Sequence, residues 1–180
     1  MVVETHLRSD AQRNLERILE AARAIFAEHG LEASVADVAA RAGVGTATIF
    51  RRFATKDELL AAVLESELNG LLVRAEQAAS LSELMTAMIE RFISARCLCE
   101  AIGSELFEQP DVAALKARIG AMLTELLHRE QEAGTIRADV TLEDVEFLLH
   151  ALGHAGLSTE KTTPGAWRRY VDVVLAGLRP

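Results

Sequence analysis

The sequence predicts an all-α fold of about nine helices, in which a three-helix N-terminal head precedes a C-terminal helical bundle. Helix-favouring alanine, leucine, glutamate and arginine dominate the 180 residues, and the alternation of β-branched and polar residues that marks strands is nearly absent. Apolar residues recur instead at spacings of three and four positions. Because 50% of the residues are hydrophobic, a chain of this length can bury a full core without disulfides or metals.

The head begins with an amphipathic helix that Gly30 is placed to end. The buried face of this helix consists of Leu15, Ile18, Leu19, Ala22, Ile25 and Phe26. Ser34 and Asp37 then form a capping pair, which predicts the start of a short second helix. The inner side of the second helix carries Val35, Val38, Ala39 and Ala42. Two glycines, Gly43 and Gly45, predict a tight turn into a third helix that begins near Thr46.

The third helix has an outward face of small and basic side chains. On a wheel of 100° per residue, Ile49 and Phe53 point inward, while Thr46 and Phe50 lie near the edge. The outward positions are Ala47, Thr48, Arg51 and Arg52. A short helix of this kind fits the DNA major groove, which is about 12 Å wide, so the pattern predicts a helix-turn-helix head that binds DNA. For the two arginines taken alone, the alternative is an ordinary solvated helix face.

Several separate motifs between Arg17 and Leu60 agree with one family pattern. They are Ala21-Ala22, Phe26 and Gly30, then Ala39 and Ala42-Gly43-Val44, then Thr48-Ile49-Phe50, Phe53, Lys56 and Leu59. On these motifs, the segment resembles the DNA-binding domain of TetR-family transcriptional repressors. A lone helix-turn-helix pattern is a weak signal, but the agreement of all these features over about a quarter of the chain is specific.

The resemblance implies roles for individual residues of the head. Thr46, Ala47 and Thr48 take the positions that contact base edges and backbone, while Ser34 and Lys56 lie at helix N-termini that face phosphates. We expect one of the two arginines at positions 51 and 52 to contact a guanine and the other to contact a phosphate.

The head departs from the family pattern at two positions and adds basic residues before them. Phe50 stands where a tyrosine commonly donates its hydroxyl to a phosphate, and Gly45 stands where a serine commonly caps the third helix. Arg8, Arg13 and Arg17 precede or open the first helix, which predicts an N-terminal arm that reaches an adjacent groove.

The net charge of −8 is unevenly distributed along the chain. Residues 1–56 hold eight basic and seven acidic side chains and carry +1, whereas residues 57–180 hold eleven and twenty and carry −9. The summed field therefore repels DNA, and phosphate contacts must come from a local cluster. We expect that cluster to be Arg51, Arg52 and Lys56.

We expect two domains with the same boundary, and the resemblance implies their roles: a DNA-binding domain with an N-terminal arm at residues 1–56 and an effector-binding and dimerisation domain at 57–180. Thr55 and Glu58 form a capping pair that starts a long helix ending near Ala78. Further capping pairs, prolines and glycines predict helices at about 81–100, 104–109, 111–133, 142–157 and 164–178.

The last two helices are the expected dimer interface. A single recognition helix reads few base pairs, so two heads are needed, and by resemblance this pair of helices forms a four-helix bundle with its mate. The expected interface residues are Leu142, Val145, Leu149, Leu152, Trp167, Val171, Val174 and Leu178. The alternative is that these apolar stripes face the core of their own chain, because periodicity does not identify a partner.

The body, which is the predicted C-terminal domain at 57–180, is also expected to hold a ligand pocket with an adaptable apolar lining. The expected lining residues are Met88, Phe92, Cys97, Met122, Leu126, Phe147 and His150. Only 4% of the residues are aromatic, which favours an aliphatic or mixed-polarity effector over a flat cation. Ordinary core packing is the alternative for each of these residues.

Together with these patterns, the resemblance implies a cytoplasmic homodimeric repressor that a small-molecule effector releases from double-stranded operator DNA. The effector would shift the long helix after the head and so change the spacing of the two heads. A regulator without an effector is the alternative, and a metalloenzyme built on Glu146, His150 and His154 is a weaker one, because no catalytic set or cofactor loop accompanies them. No metal site, cofactor or membrane segment is predicted.

Overall fold

The computed structural model describes the backbone of residues 2–180 and the side chains of residues 12–180. Over this range the chain forms nine α-helices and two 3₁₀ turns without any strand, which confirms the all-α prediction. The helices are α1 (Val2–His29), α2 (Val35–Ala42), α3 (Thr46–Phe50), α4 (Lys56–Gln77), α5 (Leu81–Ser94), α6 (Arg96–Ala101), α7 (Pro110–Glu132), α8 (Leu142–Thr159) and α9 (Trp167–Gly177). The 3₁₀ turns are Gly30–Glu32 and Glu105–Glu108.

The capping signals place most helix starts correctly. The hydroxyls of Thr55, Ser80 and Thr141 each accept a hydrogen bond from the backbone N–H three residues later, at 3.1 Å, and start α4, α5 and α8. The start of α9 is different, because Gly165 has φ +74° and the turn that contains it delays the helix to Trp167. The prediction that Pro164 opens the last helix is therefore wrong.

The segment expected to be one helix at 81–100 is two helices. Ala95, with φ −120° and ψ 78°, separates α5 from α6, and no glycine or proline marks the break. The apolar side chains of α6 are all buried, namely Cys97, Leu98, Cys99 and Ala101. The segment expected to be a helix at 104–109 is the second 3₁₀ turn.

The first helix is longer than expected at its N-terminal end. It begins at Val2, so the residues predicted to form an extended N-terminal arm have helical backbone. The side chain of Arg8 lies outside the residues whose side chains are described, and Arg13 is exposed on the surface of α1.

A continuous apolar core runs from Ile18 in the head to Leu178, the residue directly after α9. The head packs around Phe26, Val38 and Ile49, which are almost completely buried. Helix α4 leaves the head and contacts both α1 and α7, and α5 packs mainly against α8. No helix of the described residues is both long enough and apolar enough to cross a membrane.

Candidate DNA-binding surface and ligand cavity

Capping interactions at both ends of α2 fix the first part of the helix-turn-helix. Ser34 and Asp37 cap α2 reciprocally: the Ser34 hydroxyl accepts the Asp37 N–H at 3.1 Å, and the Asp37 carboxylate accepts the Ser34 N–H at 3.2 Å. Hydrogen bonds from the hydroxyl and the amide of Ser34 hold the pKa of Asp37 below its usual value. Gly43, with φ +65°, ends α2 in the left-handed conformation, and Gly45 starts α3 without a side-chain cap.

The outward face predicted for the third helix is exposed, although α3 ends at Phe50 and both Arg51 and Arg52 lie in the turn that follows it. Ile49, which is 1% exposed, fixes the helix to the core. Thr46, Ala47, Phe50, Arg51 and Arg52 are exposed, and Thr48 is half-buried. The guanidinium of Arg51 donates to the Thr48 hydroxyl at 3.3 Å, which orients this pair on the protein surface. Arg52 has no recorded side-chain partner among the described residues.

Lys56 does not point away from the protein as a phosphate contact would. Its ammonium donates to the backbone carbonyl of Leu31 at 2.5 Å, and its side chain is partly buried. Arg17 is also used inside the head, since its guanidinium donates to the carbonyl of Ala42 at 2.5 Å and so holds the end of α2. Of the three residues expected to form the phosphate-binding cluster, Lys56 is thus hydrogen-bonded within the protein, whereas Arg51 and Arg52 are exposed.

The body contains a cavity of about 220 Å³ between α4, α5, α7 and α8. Its apolar lining is Leu68, Leu71, Met88, Phe92, Ile102, Phe107, Ile119, Leu123 and Leu149. Three polar side chains, Lys116, Glu146 and His150, complete the lining together with Gly103 and Gly120. A wider groove of about 950 Å³ lies between the C-terminal ends of α7 and α9, where Arg129 and Glu130 already bind backbone groups of the α4–α5 connection.

The polar end of the cavity is close to electrically balanced. Burial, as the largest influence, lowers the pKa of His150, whose ring centroid lies 6.5 Å from that of Phe92. The imidazole is therefore neutral near pH 7. Lys116 holds its ammonium 5.9 Å from the centroid of the Phe107 ring and opposes the negative charge of Glu146.

The sequence identified part of this cavity and missed the rest. Met88, Phe92 and His150 line it, but the four other expected residues, Cys97, Met122, Leu126 and Phe147, do not. Phe147 is 71% exposed on the opposite side of α8, and Cys97 is buried in α6. The sequence analysis placed Glu146 on one helix face with His150, at a spacing of four residues, but only in the metal-site alternative and not in the pocket.

The metal-site alternative finds no support in the described residues. Among them no group of three or more His, Cys, Asp or Glu side chains is arranged to hold a metal ion. Glu146 and His150 reach the cavity, whereas His154 is exposed on the outward face of α8.

The apolar stripes expected at the dimer interface belong to the core of their own chain. Six of the eight residues are buried there: Val145, Leu149, Leu152, Trp167, Val171 and Leu178. Leu142 and Val174 are half-buried and pack against the same core. The six buried residues face the core of their own chain, as in the alternative that periodicity left open, whereas Leu142 and Val174 keep part of their surface exposed. The outward sides of the same helices expose Phe147 (71%), Tyr170 (58%) and Val173 (61%).

Comparison with known proteins covers both parts of the chain. The profile of the family described as "Bacterial regulatory proteins, tetR family" matches residues 18–63, and that of the "Transcriptional regulator SbtR-like, C-terminal domain" matches residues 77–180. The HTH-type transcriptional regulator UidR of Escherichia coli K12 is 26% identical over 165 residues, which are 85% of this chain and 84% of UidR. The HTH-type transcriptional repressor Rv3405c of Mycobacterium tuberculosis is 36% identical over 103 residues, 54% of each chain.

Solved structures agree with these sequence matches. The TetR transcription regulatory protein of Mycobacterium vanbaalenii has 33% identity and a TM-score of 0.62, and the match covers 97% of this chain and 99% of that one. FadR of Bacillus subtilis, solved in complex with stearoyl-CoA, shares the fold with a TM-score of 0.67 at 18% identity, over 91% and 97% of the two chains. The chain therefore belongs to the TetR family and is a DNA-binding transcriptional regulator rather than an enzyme.

Proposed function

We propose that the chain acts as a homodimeric repressor and that a small ligand in the body cavity releases it from its operator. The observation that carries this proposal is the position of α4. The helix begins at Lys56, directly after the recognition helix, and two of its later residues, Leu68 and Leu71, form part of the cavity wall. A ligand that moves this wall therefore acts on an element that is continuous with the head.

The proposed DNA-binding face consists of the outward side of α3. Arg51 is already oriented by its hydrogen bond to Thr48, so we assign it the bidentate contact to a guanine. Arg52 is exposed without a recorded partner among the described residues, so we assign it a phosphate. Thr46 and Ala47 allow the helix to approach the groove closely, and the capped start of α2 at Ser34 presents backbone N–H groups to a phosphate.

The proposed dimer interface is the outward side of α8 and α9 rather than the buried stripes. The two helices pack against each other, and a Cβ at Gly156 would lie 3.5 Å from that of Trp167, so they approach closely at this end. Phe147 on α8 and Tyr170 and Val173 on α9 are three of the five large hydrophobic side chains exposed among the described residues. A two-fold partner that covers this surface removes an apolar patch from water and pairs the two heads.

The proposed ligand is small and mostly apolar, with one uncharged polar group. Ligand pockets usually have volumes of about 300–1,000 Å³. The cavity here, at about 220 Å³, is smaller, and stearoyl-CoA, which FadR of Bacillus subtilis holds, would exceed it. A neutral His150 together with the opposed charges of Lys116 and Glu146 favours a neutral hydrogen-bonding group over an ion.

Three probes with the same alkyl tail test this assignment: n-octanol, octanoate and octylamine. We expect n-octanol to raise the melting temperature most and to weaken binding to the DNA immediately upstream of the protein's own coding region. A Cβ at Gly120 would meet no heavy atom within 4 Å, so Gly120→Leu has room to fill the cavity. This variant should bind DNA normally and lose the response to n-octanol. A probe that binds wild type tightly and leaves its affinity for DNA unchanged would refute the proposed release.

A further inference from the structure

The backbone of Leu31 is held from two sides by charged side chains that come from other elements. Its N–H donates to the Glu100 carboxylate at 2.8 Å, and its carbonyl accepts from the Lys56 ammonium at 2.5 Å. Leu31 lies in the 3₁₀ turn between α1 and α2, Glu100 lies in α6 of the body, and Lys56 is the first residue of α4. We call these three residues the Leu31 clamp.

The Glu100 carboxylate is itself fixed in place. One of its oxygens binds the Leu31 N–H, and the other accepts the Arg96 guanidinium at 2.5 Å. Gly30, with φ +63°, lies directly against this pair, because a Cβ there would overlap the Glu100 carboxylate and approach Arg96 to 2.9 Å. The Glu100 side chain is only 24% exposed, and hydrogen bonds to a partly buried carboxylate are stronger than those between neutral groups.

The two hydrogen bonds of the clamp are directional, unlike the apolar contacts between the head and the body. Apolar side chains form most of the joint between α1, α4 and α6, and apolar burial does not depend strongly on direction. Hydrogen bonds require a defined distance and angle. The two bonds to Leu31 therefore restrict how the head can rotate on the body.

We propose that Glu100 and Lys56 are positioning residues that set the orientation of the head relative to the body. This inference rests on the homodimer and the palindromic operator of the proposed function. Two heads that read a palindrome must keep recognition helices about one DNA turn apart, so a loosened head costs affinity only when both half-sites are engaged. In this account Lys56 contributes to DNA affinity without contacting a phosphate.

The test compares full-length variants on duplexes that differ only in half-site content and spacing. Glu100→Ala removes the acceptor of the Leu31 N–H, Glu100→Gln keeps an acceptor oxygen, and Lys56→Met keeps the aliphatic stem without the donor. Glu108→Ala is the matched control, because Glu108 is exposed nearby in the second 3₁₀ turn. The duplexes carry the wild-type footprint as a full palindrome, with one half-site scrambled, or with one base pair inserted at the centre.

We expect Glu100→Ala and Lys56→Met to bind the single half-site as wild type does and to bind the full palindrome about tenfold more weakly, which corresponds to about 1.4 kcal/mol. Both variants should also discriminate less between the natural and the lengthened spacing, and the Leu31 amide should exchange faster with solvent in Glu100→Ala. Glu100→Gln should recover most of the full-site affinity, and Glu108→Ala should match wild type. Equal losses on half-site and full site, or an unchanged spacing preference, would overturn the positioning role.

Discussion

Phe147 provides the most quantitative test of the outward dimer surface. It is 71% exposed, and a phenylalanine side chain has about 200 Å² of surface, so about 140 Å² is accessible in each protomer. At about 25 cal/mol per Å², complete burial would stabilise the dimer by about 3.5 kcal/mol per copy. If a partner covers half of this area, Phe147→Ala removes about 3.5 kcal/mol over the two copies, which raises the dimer dissociation constant a few hundredfold.

Val73 is the matched control for this experiment, because it is 53% exposed but lies on α4. Sedimentation velocity over a dilution series measures the dissociation constant of each variant. We expect Val73→Ala to dimerise as wild type does and Phe147→Ala to dissociate at concentrations where wild type is dimeric. Wild-type dimerisation of Phe147→Ala, or an equal loss in both variants, would refute the assignment of this surface.

Two further predictions concern the titratable groups of the body. Burial, with a smaller effect of Glu67, raises the pKa of Cys97 to about 12, and burial raises the pKa of Cys99 to about 11. Both thiols should therefore react with maleimide only at the rate of unfolding. Fast labelling of the native protein would contradict this prediction. Because burial lowers the pKa of His150 below its unfolded value of about 6.5, the folded state binds fewer protons than the unfolded state, and stability should decrease as pH falls through 6.5. His150→Gln should reduce that loss between pH 7.5 and 5.5 in urea titrations, and an unchanged loss would show that the imidazole does not contribute.

The helix-turn-helix was predictable because its signals are local. The capping pair at Ser34 and Asp37 and the left-handed Gly43 specify α2 and its end within ten residues of sequence. Ile49 alone determines which side of α3 faces the core, and the wheel then gives the exposed side. These features depend on neighbours along the chain, so a single sequence contains them.

The break between α5 and α6 depends on distant contacts and has no local signal. Ala95 is neither a glycine nor a proline, and the break lets Glu100 reach Leu31, which is 69 residues away. The hydrogen bond of Lys56 was not predictable for the same reason. Its position at the start of α4 is typical of a phosphate contact, but its ammonium donates to a carbonyl 25 residues earlier. Tertiary hydrogen bonds of this kind are not encoded in periodicity.

The assignment of the α8 and α9 faces failed for a related reason. Both sides of α8 carry apolar residues, since Val145 and Leu149 are buried while Phe147 between them is exposed. Periodicity identifies the more continuous stripe, which in this chain is the one that packs against α5. The choice between the core and a partner requires the packed structure.

Binding of the α3 face to DNA is the central claim, and footprinting tests it most directly. We expect wild type to protect a palindrome immediately upstream of its own coding region. Arg51→Ala should lose about 1–3 kcal/mol of discrimination per half-site, and Arg52→Ala should weaken all duplexes alike and lower the salt dependence by about one counterion per head. If both variants keep wild-type affinity and salt dependence while remaining folded, the outward face of α3 is not the DNA-binding surface.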